Sequence, residues 1–303
     1  MLTSTQAAGL LEVHESSVKR WTNEGKLAPV KTDGGHRRIS LHDLLEFARS
    51  KRSGSALLRL APFEAELAQA ALACRERNDF LPLADLIVKL CDTKPPGYLM
   101  DMLRYLESAC GIPLPRIFDL GITQAMRRIG REWDAGTRSI AQEHRFTQKV
   151  LDALHGLRGP DADMRGDEVP LAVVGCAESC HHEIGAMFVR VILERIGWRV
   201  CYLGSNVPFA EYAGIQAELG ARLVAISFVP PCSNPDARRC LAAMGGLYRN
   251  NRPYALALGG GALQPEGLET RNWPFQSLKI GREMEAFQAW AALQFRKKGS
   301  RAC

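Results

Sequence analysis

Apolar residues change their spacing twice along the chain. Over residues 1–48 they form short helical patterns around a basic turn. TQAAGLL makes a first helix that Thr3 or Ser4 can cap, Val13–His14 a turn, and Glu15–Glu24 a second helix with Val18 and Trp21 facing inward. After Pro29, VKTDGGHRRIS carries Asp33-Gly34-Gly35, a hairpin signal, and SLHDLLEFA predicts a short third helix. From about Pro62 to Gly156 apolar positions recur near a 3.6-residue period. FEAELAQAALACRER, FLPLADLIVKL, YLMDMLRYLESA, IFDLGITQAMRRIGREW and SIAQEHRFTQKVLDALHGL are punctuated by CDTKPPG and GIPLP, which predicts an antiparallel bundle of four-helix type. After Gly159–Asp167 short apolar runs with β-branched content appear: VPLAVVGCA, WRVCYLG, ARLVAISFV and PYALALGG. They alternate with the helical stretches HEIGAMFVRVILERIG, PFAEYAGIQAELG and ARRCLAAMGGLYRNN. Strands alternating with helices imply a parallel, doubly wound sheet that binds ligands at the carboxyl ends of its strands.

The fold class read from this rhythm is multidomain. It comprises an all-α winged helix–turn–helix over 1–50, a helical bundle over 60–158, and an α/β Rossmann-like parallel sheet over 168–298. ARSKRSGSA, residues 48–56, has the composition of a linker. A length of 303 residues suits two or three domains.

Composition narrows the function classes. Hydrophobic residues at 46% and charged residues at 24% are a globular balance, which argues against disorder. No apolar run approaches the roughly 20 residues that span a bilayer, and the N-terminus lacks a signal-peptide pattern, so a cytoplasmic location is expected. Nine cysteines show no CxxC spacing, which argues against a zinc site and for free thiols. A net charge of +6 permits a nucleic-acid partner without requiring one.

The second helix offers Ser16, Ser17, Lys19, Arg20 and Asn23 to a major groove, and the hairpin projects Lys31, His36, Arg37 and Arg38 as a basic wing. Helix pair, turn and GGHRR wing together resemble the MerR-type DNA-binding domain. So small a module binds DNA weakly alone, and useful affinity requires two or more copies.

In the C-terminal part, His182-Glu183-Ile184-Gly185 places His-x-x-Gly at the junction of first strand and helix. Ser227 stands at the end of the third strand. The fourth ends in Gly259-Gly260-Gly261, where absent side chains let a large ligand approach the backbone. This ordered set resembles the cobalamin-binding domain of methionine synthase and the mutases. The resemblance implies that His182 ligates cobalt from below, displacing the cofactor's own base. It also implies that the nucleotide tail lies beside the strands, with Gly185, Ser227, Gly259, Gly260 and Gly261 as cofactor contacts. Cys180 stands where that family carries an acidic partner for the histidine. Substitution by Glu178 or His181, or weaker cobalt ligation, are the alternatives.

Trp133, nine residues, then Glu143-His144 is the bundle's own motif. Singly, Trp133 reads as core packing and Glu143 as a solvated helix face. Together with both flanking parts they resemble the CarH/LitR family of light-sensing repressors over nearly the whole chain. The resemblance implies adenosylcobalamin as chromophore, with Trp133 and Glu143 sheltering the adenosyl group and His144 beside them. It further implies a dark tetramer on operator DNA that light dissociates. Asp134 departs from the histidine that follows the tryptophan in that family, which leaves His144, water or a cysteine as the upper ligand after illumination. No acid–base pair for a substrate is visible, so no enzyme is expected. Three other readings stand beside this one: a light-independent regulator sensing cobalamin, or redox state through Cys176 or Cys180; a corrinoid carrier of a methyltransferase; and a cofactor-free adaptor.

Overall fold

A computed structural model of the chain describes residues 1–31, 37–51, 55–158, 166, 168–268 and 272–296. They fall into two compact units, 1–153 and 154–303.

The first unit opens with α1 (Ser4–Leu10), capped by Thr3, whose hydroxyl accepts from Gln6 N at 3.1 Å while the Gln6 side chain accepts from Thr3 N. The next helix, α2 (Glu15–Asn23), buries Val18 and Thr22, and Trp21 packs on Phe47 at 4.9 Å between ring centroids. Phe47 belongs to α3 (Leu41–Ser50), which Ser40 caps. Strands β1 (Val30–Lys31) and β2 (Arg37–Arg38) pair antiparallel. The Asp33-Gly34-Gly35 turn that they flank lies outside the described residues.

A 3₁₀ turn (Ala56–Leu60) leads into α4 (Glu64–Arg77), α5 (Leu81–Thr93) and α6 (Pro96–Ser108). Then α7 (Leu114–Arg116) runs through a π-helical segment (Ile117–Ile122) into α8 (Thr123–Asp134), and α9 (Ile140–Gly156) follows. Their apolar faces meet in a core that includes Leu67, Ile87, Leu103, Phe118, Ile129 and Phe146. The segment read as a linker is partly tied down. Ser55 is buried, and the Glu12 carboxylate accepts from Ala56 N at 2.7 Å and from the Ser55 hydroxyl at 3.3 Å.

The helix–turn–helix docks on the bundle through a further contact, which is buried, Tyr105 Oη donating to Leu10 O at 2.8 Å. Burial pushes the Tyr105 hydroxyl far above its usual range, so it remains a donor. Tyr105→Phe is expected to destabilise the first unit by about 1 kcal/mol, read as a lower urea midpoint, because it leaves the buried Leu10 carbonyl only the longer bond from the Ser55 hydroxyl at 3.5 Å.

The second unit is a parallel sheet in the order β4-β3-β5-β6-β7. The strands are β3 (Leu171–Cys176), β4 (Arg199–Tyr202), β5 (Leu223–Ser227), β6 (Ala255–Gly259) and β7 (Ser277–Gly281). Helices α10 (Ile184–Arg195), α11 (Phe209–Leu219), α12 (Asn234–Gly246) and α13 (Met284–Arg296) complete the unit. The central strand β5 is buried throughout and reads as a continuous apolar run because helices cover both faces. The chain leaves β3 for β4 on one side and returns to β5 on the other, so the strand order reverses between β3 and β5. That reversal opens a crevice at the carboxyl ends of the strands. Sequence reasoning identified four strands; β7 was missed because SLKIG is short, half-buried and carries a lysine. Among the described residues no helix is long and apolar enough to cross a membrane.

Candidate functional site

Two candidate surfaces emerge. On α2, Ser16, Lys19, Arg20 and Asn23 lie exposed on the side opposite Val18 and Thr22, with Ser17 beside them. Lys19 pairs with Glu15 at 2.9 Å, an exposed contact that a phosphate can displace. Ser16 Oγ is hydrogen-bonded to the capping His14 Nδ1 at 2.8 Å. Lys31 lies opposite Arg37, and Arg38 opposite Val30, in the short hairpin. His36 lies outside the described residues.

The second surface stands at the strand ends. β3 delivers the chain into a loop whose first turn closes by Cys180 N donating to Ala177 O at 3.0 Å. Ser179 takes a left-handed φ of 65° at that turn. His181 and His182 follow, both exposed, and α10 begins at Ile184. The His182 ring hydrogen-bonds neither Glu178 nor His181; no such bond exists among the described residues. Its carbonyl is held instead, by the buried thiols of Cys176 at 3.4 Å and Cys180 at 3.9 Å. A buried thiol pair thus fixes the loop where the resembled family has a carboxylate. Tyr202 Oη donates to Glu183 at 3.0 Å, which directs Glu183 away from a role as histidine partner.

Below the loop, a cavity of about 300 Å³ is bounded by β5, β6, β7, α10 and α13. Its floor is made of small residues, Ala225, Ser227, Ala257, Gly259 and Gly281, which share one face in register. Ser227 is 4% exposed, and its hydroxyl has no hydrogen-bond partner among the described residues. Such an orphan costs about 1–3 kcal/mol unless a ligand satisfies it. Gly185 sits directly against it, since a Cβ there would stand 2.7 Å from Ser227 Oγ. Gly260 has φ 121°, and its Cβ would stand 2.1 Å from Phe228 O. Gly261 borders open space. The structure therefore brings Gly185, Ser227, Gly259 and Gly260 around one slot, and the loop that carries His182 leads directly into Gly185. A flat ring with hydrogen-bonding capacity fits this slot, and an exposed, unpartnered imidazole suits a transition-metal ligand. The residues present fit a cobalamin. Among the described residues no cluster of three or more His, Cys, Asp or Glu could hold a bare metal ion.

Trp133 and Glu143 stand on either side of the α8–α9 turn. The Trp133 side chain is 48% exposed, which removes core packing as its role. The Glu143 carboxylate is held by His144 Nδ1 and by Thr147 Oγ1 at 2.7 Å. His144 is largely exposed. The turn is braced by Arg138, which makes a bidentate pair with Asp92 at 2.9 Å and another bond to Glu132 at 2.9 Å. Asp92 is lowered by its hydrogen bond from Arg138, and Glu132 by its bonds from Arg128 and Arg138. This Arg138 brace went unnoticed in the sequence because its three members are scattered over 46 residues.

Comparison with known proteins places two family matches in the first unit and a fold likeness over most of the chain. Residues 1–52 match the family described as helix-turn-helix domain, and residues 99–155 match the B12 binding domain. The HTH-type transcriptional repressor CarH of Myxococcus xanthus is 26% identical over 247 residues, covering 76% of this chain and 79% of that protein. The HTH-type transcriptional repressor CarA of the same organism is 32% identical over 90 residues, covering 30% of this chain and 31% of that protein. In fold, the chain is similar to the Methanosarcina barkeri monomethylamine corrinoid protein. The TM-score is 0.50 at 18% identity, over 72% of this chain and 96% of that one. The B12 match falls on α6–α9, the helices that carry Trp133 and Glu143. The chain is therefore a CarH-like regulator that joins a DNA-binding helix–turn–helix domain to a cobalamin-binding domain.

Proposed function

We propose that this protein is a cytoplasmic, light-responsive transcriptional repressor that uses adenosylcobalamin as chromophore. The observation that carries this reading is one chain holding both an exposed polar recognition helix and a strand-end slot with an orphaned hydroxyl, the loop before the slot carrying an exposed imidazole. When bound, adenosylcobalamin supplies a cobalt–carbon bond that visible light breaks. His182 ligates the cobalt. Gly185, Ser227, Gly259 and Gly260 receive the nucleotide tail, with Gly261 at the rim. Trp133 and Glu143 shelter the adenosyl group, with His144 orienting the Glu143 carboxylate. The dark holoprotein assembles as a homo-tetramer, and the assembly supplies the multivalency that one short helix–turn–helix lacks. A swing from mostly assembled to mostly dissociated requires a differential stabilisation of about 5.5 kcal/mol. The test is the absorption spectrum and the sedimentation of the protein with adenosylcobalamin, before and after green light. The reading requires both to change on illumination; a bound, light-inert cofactor contradicts it.

On the DNA side, Lys19→Ala and Arg20→Ala are expected to weaken binding to all sequences. Each lowers the slope of log K against log salt by about 1, because each side chain releases about one counterion. Titrations at several salt concentrations measure this.

A second reading, redox sensing, is favoured by the Cys176–Cys180 pair that holds the His182 carbonyl. Transfer of two electrons and two protons from these thiols to a disulfide oxidant joins them and removes both donors from His182. Peptide mapping after oxidised glutathione tests it; unmodified thiols contradict it.

A further inference from the structure

We propose that Lys279 recognises the anionic phosphodiester of the nucleotide tail, so that the strand-end slot selects complete cobalamins over corrinoids that lack the tail. This rests on the cobalamin reading and deepens it.

Lys279 is the central residue of β7, the edge strand. Its register partner is Ala257, and Ala257 pairs with Ala225, so all three face the same side of the sheet as Ser227, Gly259 and Gly281. That side is the floor of the slot, and Lys279 lines it. The side chain runs toward the carboxyl end of the strand, because its Cε lies 3.6 Å from where a Cβ on Gly281 would stand. The ammonium is thus delivered up the slot toward its mouth, over a residue with no side chain to block it.

The surroundings of Lys279 are mostly apolar: Val189, Met284 and Phe287 face the same cavity. Lys279 is only partly exposed, and it has no salt bridge or hydrogen bond among the described residues. A half-desolvated cation without a partner favours an anionic ligand. The other charged residues of the cavity do not fill that role. Arg282 is a cation engaged with the Leu263 carbonyl, and neither Glu266 nor Glu283 pairs with Lys279. Ser227 adds a second polar group, buried and without a partner, on the same floor. A small-residue floor, one orphaned hydroxyl and one unpaired cation match a flat uncharged heterocycle joined to a single phosphodiester. A corrinoid lacking its nucleotide has neither.

The experiment is equilibrium dialysis of the full chain in darkness against hydroxocobalamin and, separately, against diaquacobinamide. The wild type, Lys279→Gln and Lys279→Arg are compared. The proposal requires the wild type to prefer hydroxocobalamin. Lys279→Gln should lose about tenfold or more of that affinity, since a hydrogen bond to a charged group is at stake. Its affinity for diaquacobinamide should not change, which also reports that the variant is folded. Lys279→Arg should recover most of the loss, and the wild-type preference should shrink at high salt. Equal losses for both corrinoids, or no loss for either, overturn the assignment of Lys279 while leaving cobalamin binding intact. A wild type that binds neither corrinoid overturns the cobalamin reading itself, and the Lys279 proposal with it.

Discussion

Gly260→Ala is expected to destabilise the sheet unit by about 3 kcal/mol or more and to abolish cobalamin binding. Two independent effects add at this position. A φ of 121° lies beyond the left-handed region that side chains tolerate, so alanine forces the backbone to rotate. The new methyl would also stand 2.1 Å from the carbonyl oxygen of Phe228. That oxygen cannot retreat cheaply. Phe228 N donates to Gly259 O at 2.7 Å, and Phe228 O accepts from Ala262 N at 3.2 Å, so the strand-end turn is held on both sides. Any shift moves Gly259 and Ser227, the floor of the slot. The adjacent Gly261→Ala is the internal control. A Cβ there meets nothing within 4 Å, and its effect should stay within about 0.5 kcal/mol. Urea denaturation of both variants, followed by cobalamin titration, measures the contrast. Equal behaviour of the two would mean that the close approach at Gly260 does not exist in solution.

His182→Ala is expected to cost at least tenfold in cobalamin affinity while leaving the fold intact. Loss of a partner that only orients a metal ligand costs roughly 10–100-fold, and loss of the ligand itself should cost no less. The His182 ring is exposed, and its carbonyl, not its imidazole, is what the Cys176 and Cys180 thiols bind. Alanine keeps that carbonyl. The unfolding midpoint should therefore be unchanged, and the visible spectrum of bound cobalamin should lose its nitrogen-ligated form. His181→Ala serves as the register test, because both histidines are exposed and adjacent. If His181→Ala carries the spectral loss and His182→Ala does not, the His-x-x-Gly register has been assigned to the wrong imidazole.

The sequence exposed some of this clearly and hid the rest, for physical reasons. The start of α1 was legible because its capping chemistry is local: of the two candidates Thr3 and Ser4, Thr3 caps it, paired with Gln6. The central strands were legible because burial on both faces turns them into unbroken apolar runs. The edge strand β7 was not, since an edge tolerates Ser277 and Lys279, and with it Lys279 went unrecognised as a cavity residue. Gly260 could be noted as a place without a side chain, but its close approach to Phe228 is a three-dimensional fact. The departure at Cys180 was visible as a missing carboxylate. Its resolution, a thiol pair that grips the His182 backbone, required knowing where Cys176 and His182 end up in space. Likewise the docking of the helix–turn–helix through Tyr105 and Glu12 joins residues up to 95 positions apart and leaves no local signature.

The central claim is that a cobalamin bound at His182 controls DNA binding by the helix–turn–helix. The most direct measurement is fluorescence anisotropy of the full chain on an operator fragment, selected from random DNA by the dark holoprotein. It is made with and without adenosylcobalamin, in darkness and after green light. The account predicts tight binding only with the cofactor in darkness, a large loss after illumination, and weak, light-independent binding by His182→Ala under every condition. Equal affinity with and without cofactor, or equal affinity in the wild type and His182→Ala, would contradict it.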